Sequence, residues 1–190
     1  MPMTAALSMK NRFLSNKGQS LIELTLMTPL MLLLIFGVVE VGSVISAYLT
    51  LSQLSREGAN MTARGTAPST ALDAITQAGS PTIHNNNIAQ WRIIYTKMIQ
   101  DPIIPCPPPQ PCTYIISDQR TRGNLGHSSK IGGLGDVVSI PGSQNIGPGQ
   151  TFHGFELYFD YGPNIITYVG TGINQLFYER AIFTDVSGKP

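Results

Sequence analysis

The sequence predicts an α+β chain. One long N-terminal helix, apolar enough to enter a membrane, precedes a small head with a short antiparallel sheet. Three observations predict this. From Leu24 to Val39 no side chain is charged, and only Thr25, Thr28, Pro29 and Gly37 interrupt the Leu, Ile, Val, Met and Phe. After Tyr48 the pattern turns amphipathic, with Leu49, Leu51, Leu54 and Met61 recurring among Ser52, Gln53, Arg56, Glu57 and Asn60. That suits a helix that leaves a membrane and lays one face on a domain. From Tyr114 onward, short β-like runs alternate with stretches rich in Gly, Pro, Asn and Ser.

Composition is compatible with this plan. The 190 residues suit one soluble domain plus an anchor. Charged residues make up 12% and the net charge is +1, so no basic field points to nucleic acid as a partner. No internal repeat is present.

Residues 1–18 read as a basic leader outside any fold, with Ser15-Asn16-Lys17-Gly18 expected to break a helix. Residues 19–64 read as one helix, membrane-spanning over about 21–48. A span needs roughly 20 residues at about 1.5 Å each. Lys10, Arg12 and Lys17 lie before the run and the long polar portion after it. The positive-inside rule therefore predicts a cytoplasmic N-terminus and an external head. Glu23 and Glu40 fall near opposite ends of the span, where an acid costs least, and Glu40 is expected at the outer interface or against a basic side chain of a partner helix. Pro29 is expected to kink or loosen the helix, and the carbonyl it frees needs a neighbour or a side chain such as Thr25. Gly37, Gly42, Ser43, Ser46 and Ala47 lie partly on one side. Small residues so placed allow another helix to approach, with Gly37, Gly42 and Ser46 as the packing candidates; glycine is also simply common in membrane helices. Gly65 and Pro68 are stop signals.

Residues 65–190 make the head. Ser69–Gly79 is expected to be a short helix. Ile88–Gln100 is ambiguous, but Trp91, Ile94, Tyr95 and Met98 fall at helical spacing, which favours a helix. Asp101–Cys112 is a proline-dense loop. Tyr114–Ser117 reads as a strand, Asp118–Gly135 as a long mobile loop, and Val137–Ile140 as a strand. Phe152–Tyr161 is the clearest strand, with Phe155, Leu157 and Phe159 on one face and Glu156, Tyr158 and Asp160 on the other. Tyr178–Asp185 closes the sheet.

The apolar run by itself is open to several readings. It could be a secretory signal with a cut near Ser46-Ala47, or a plain anchor. A third reading uses Gly18 and Glu23 together. Gly18-Gln-Ser-Leu-Ile-Glu23, behind a basic leader and ahead of an apolar helix, resembles a class III (prepilin) signal sequence. Further on come Pro29-Leu30, Phe36-Gly-Val-Val-Glu-Val-Gly42, Ala47-Tyr-Leu-Thr50 and Ser55-Arg-Glu-Gly-Ala59. In that order they resemble the N-terminal domain of the TadE-like minor pseudopilins of the tight-adherence (Flp pilus) system, over about 45 residues. The major Flp pilin is a poorer match, because its family usually has Tyr where this chain has Leu24.

The resemblance implies cleavage between Gly18 and Gln19 by a prepilin peptidase. It also implies insertion in the inner membrane, and partnership with other pseudopilins and with pilus platform proteins. Cleavage would create a positive α-amine on Gln19, about one helical turn from Glu23. An unpaired carboxylate in low dielectric is costly. The resemblance implies that Glu23 pairs with the amine of a neighbouring subunit and sets axial register.

Other chemistry is sparse. Cys106 and Cys112 are the cysteine pair, and an external compartment favours a disulfide between them, closing a loop already stiffened by prolines. A Cys-x5-Cys with no nearby His is a weak metal signal, and no cofactor is expected. His84, His127 and His153 are scattered and read as surface polar residues. His153 near Asp160 and a serine would be needed for a hydrolase, and no Gly-x-Ser-x-Gly elbow is present. Gly132-Gly-Leu-Gly-Asp136 lacks the spacing and the lysine of a phosphate loop and reads as a turn. An assembly protein rather than an enzyme is therefore expected; the alternative is a signal-anchored periplasmic enzyme or binding module.

Overall fold

The computed structural model describes residues 5–80, 87–101, 112–141, 143, 149–162 and 175–186, with α1 side chains from residue 18 onward. Helix α1 runs over Ala5–Ala63 and α2 over Pro68–Ala78. A 3-10 turn at Ile88–Gln90 leads into β1, Trp91–Gln100. Then come β2 (Thr113–Gly123), β3 (Val137–Ser139), β4 (Thr151–Tyr161) and β5 (Gln175–Thr184). The chain divides into two compact units, 1–43 and 44–190. The α+β class expected from the sequence is what forms.

In the first unit α1 is unbroken. It passes through Ser15–Gly18, where a break was expected, and through Pro29. The polar leader is continuous with an apolar run of strong helix formers, so helix propagates into it at little cost. Thr25 and Thr28 turn their hydroxyls back, donating to Leu21 O at 2.8 Å and Leu24 O at 2.7 Å. Thr25 thus serves Leu21 and not the carbonyl that Pro29 leaves free. From Leu21 to Val41 the large apolar side chains stay exposed.

The second unit is built on a five-stranded antiparallel sheet in the order β3-β2-β1-β4-β5. In β1 and β4, odd-numbered residues face α1. Trp91 lies opposite Phe159, Ile93 opposite Leu157 and Tyr95 opposite Phe155. They share one core with Leu51 and Leu54 of α1 and with Ala71, Leu72 and Ile75 of α2. Gly58 permits the closest approach: a Cβ there would stand 2.6 Å from Phe155 Cδ1. Even-numbered residues form a second layer, in which Met98, Tyr114, Ile116 and Phe152 pack with Ile131 and Ile182.

That double layer explains the main error of sequence reading. Ile88–Gln100 is not a helix; beyond its first turn it is the central strand. A strand covered on both faces reads as a continuous apolar run, and such a run also satisfies helical spacing. The expected loop 118–135 is likewise corrected. Strand β2 continues to Gly123, and its register slips beside Ser117, between Lys97 and Met98 of the partner strand. The expected helix at Ser69–Gly79 and the strands near 137, 152 and 178 form within a few residues of their expected bounds. The proline-dense stretch falls at 102–111, outside the described residues.

Candidate functional site

The sequence-derived site residues lie along α1. Gly18 is helical and exposed, and Gln19 Nε2 donates to Glu23 Oε1 at 3.4 Å. Both side chains are exposed, four residues apart on one helical face. A Cβ added at Gly18, Gly37 or Gly42 meets nothing within 4 Å among the described residues. Gly42 and Ser46 are exposed and Gly37 is half-buried, whereas Ala47 belongs to the core of the head. The small residues therefore do not share one free face: Ala47 is spent within the chain. Glu40, expected at the outer interface or against a partner helix, is buried at 4% exposure.

The helix is the membrane candidate among the described residues. Over Gly18–Ala63 it contains an 18-residue window of mean hydropathy 2.3. The hydroxyls of Thr25, Thr28, Ser43 and Thr50 bond back to the helix, as suits a lipid environment.

The head holds two polar clusters that sequence reading missed. In the first, His153 is buried, not on the surface. Its Nδ1 meets the Tyr95 hydroxyl at 2.9 Å and its Nε2 stands 3.5 Å from Asp185 Oδ2. Burial lowers the His153 pKa below its ordinary value, partly offset by Asp185. Burial also raises that of the Tyr95 phenol. The partner is Asp185, not the Asp160 considered from the sequence. His127 stacks on Tyr158 with ring centroids 5.3 Å apart, and His84 lies outside the described residues.

In the second cluster Glu156 is fully buried on the face away from α1. It accepts from Ser129 Oγ, from the Lys130 N–H at 2.9 Å and from the Tyr178 hydroxyl at 2.8 Å. Lys130 Nζ sits 3.9 Å above the Tyr178 ring. Tyr158 donates to Ser128 O at 2.9 Å, and its phenol is pushed up to about 12 by burial and by Glu156. The segment expected to be mobile is thus tied to the sheet by a buried carboxylate. Glu156 escaped detection because alternation places it on the face usually left to water.

A groove of about 630 Å³ lies beside α2, lined by residues including Asp73, Gln77, Trp91, Arg122 and Asn124. Asp73 and Arg122 pair with each other there at 2.5 Å. No group of three metal-ligating side chains exists among the described residues. Cys112 is buried, but Cys106 lies outside the described residues, and the expected pairing with it.

Comparison with known proteins returns one family. Residues 18–60 match the model described as TadE-like protein. No curated protein and no solved structure matches the chain.

Proposed function

We propose that this chain, which carries a TadE-like domain across residues 18–60, is a membrane-anchored minor pseudopilin of the Tad/Flp pilus system. One observation carries the reading: the family match covers the stretch of α1 whose apolar side chains are left uncovered. A helix of this kind finds its free-energy minimum in lipid or against other helices. The chain sits in the inner membrane with its N-terminus in the cytoplasm and its head in the periplasm. A prepilin peptidase cuts after Gly18. The new amine on Gln19 pairs with Glu23 of a neighbouring subunit, and Gly42 and Ser46 pack against other pseudopilins and the pilus platform. In the periplasm Cys106 and Cys112 form a disulfide.

Intact mass and N-terminal sequencing, after co-expression with the cognate prepilin peptidase, test this reading. The expected product starts at Gln19 and disappears in Gly18→Ala. A full-length product reduces the protein to a plain anchor. A start after Ala47 makes it a secreted protein and refutes the proposal.

A further inference from the structure

In the head, two neighbouring elements change from apolar to charged at the same level. On α1, Ile45, Tyr48 and Leu49 are exposed, and the exposed residues farther along are Gln53, Arg56 and Glu57. On β5, Gln175 and Leu176 are exposed at the start, Glu179 and Arg180 follow, and Phe183 is exposed again near the far end. The two elements run side by side in the same sense. The Tyr48 and Phe177 rings lie 6.3 Å apart, and the Val186 N–H donates to Ala63 O at 2.9 Å. The start of the strand therefore lies beside residue 48, and its end beside the end of the helix. Tyr161 backs this contact, with its ring centroid 5.9 Å from that of Phe177.

Resting on the membrane-anchor reading, we infer that this end of the head seats in the outer headgroup layer of the bilayer, so that β5, through Leu176, touches lipid as well as α1. Lipid is the occupant because exposed Ile45, Tyr48 and Leu49 follow the apolar run on the same helix, with buried Glu40 the one charged residue between Leu24 and Arg56. Tyrosine, with an apolar body and a polar tip, suits that layer. Asp160, half-buried and opposite Leu176 on β4, limits the depth, because its carboxylate must stay hydrated.

Depth-dependent quenching tests this. The full chain is reconstituted in phosphatidylcholine–phosphatidylglycerol vesicles brominated at defined acyl positions, with single Leu33→Trp, Leu176→Trp and Val137→Trp variants. All three positions are exposed, and the buried native Trp91 is subtracted using the parent chain. The expected result is loss of Leu33→Trp emission with deep bromines, loss of Leu176→Trp emission with shallow bromines, and no loss for Val137→Trp at the far end of the sheet. Quenching at Leu33→Trp without quenching at Leu176→Trp overturns the inference and leaves the anchor standing. If Leu176→Trp is then also shielded from aqueous iodide, a second copy of the chain covers this end of the head instead. Equal quenching at Val137→Trp means unspecific adsorption of the head and overturns it too. No quenching at Leu33→Trp removes the anchor reading itself, and the inference with it.

Discussion

Leu33 and Leu157 are the same residue type, yet Leu33 is 63% exposed and Leu157 1%. The contrast holds for whole regions. Along residues 21–41 the helix leaves its large apolar side chains uncovered. In the head, each of Phe155, Ile93 and Leu51 is covered by side chains distant in sequence. The first region needs a surrounding phase to complete it; the second supplies its own. Changes in one should therefore register in different measurements from changes in the other.

The largest expected effect is at Phe155, whose removal opens a cavity. Phe155→Ala should cost the head about 3–5 kcal/mol, read by thermal unfolding of the full chain in detergent, while Leu33→Ala should leave that transition in place. Equal losses would break the distinction between the regions. Next comes Glu156→Ala, which strands the Tyr178 hydroxyl and the Lys130 N–H. A loss of about 2 kcal/mol is expected, with faster amide exchange confined to residues 128–132. Exchange spread evenly over the sheet would show that Glu156 supports the whole layer and not the one segment.

Two glycines sharpen the comparison. Glycine to alanine in a helix interior normally stabilises by up to about 1 kcal/mol. At Gly37 the new methyl meets nothing within 4 Å, so Gly37→Ala should leave the stability of the head unchanged. At Gly58 it would meet the Phe155 ring at 2.6 Å, and Gly58→Ala should destabilise by about 1–2 kcal/mol. If Gly37→Ala weakens co-purification with the partners proposed above, that residue faces a neighbouring helix.

The smallest effect concerns pH. Burial holds His153 below its ordinary pKa, with Lys97 acting in the same direction and Asp185 against it. The unfolded chain therefore takes up the proton first. Head stability should be complete above the ordinary value near 6.5. It should fall as pH drops through that value and level off below the lowered folded one. His153→Gln should flatten that acid slope; an unchanged slope would assign it to other groups.

What each region revealed in advance follows from where its partners are. Gly18, Gln19, Glu23 and the run behind them lie within one helix, so their spacing and polarity are readable from local sequence. The family match over 18–60 covers this same part. The strand at Phe152–Tyr161 was legible because Phe155, Leu157 and Phe159 all turn to one core. Trp91–Gln100 misled because its neighbours on both sides and both faces come from far along the chain.

The polar clusters mark the same boundary. Nothing near Glu156 in sequence announces Ser129 or Tyr178, and nothing near His153 announces Tyr95 or Asp185. By itself the sequence determined an apolar helix with a processing-type motif, the α+β class and most of the later strands, because each depends on short-range periodicity. The tertiary structure alone decided which strand is central and which acid is buried. It also decided that His153 is buried and that Ala47 is used internally while Gly42 stays open. Those outcomes depend on contacts between residues tens of positions apart, which local pattern does not encode.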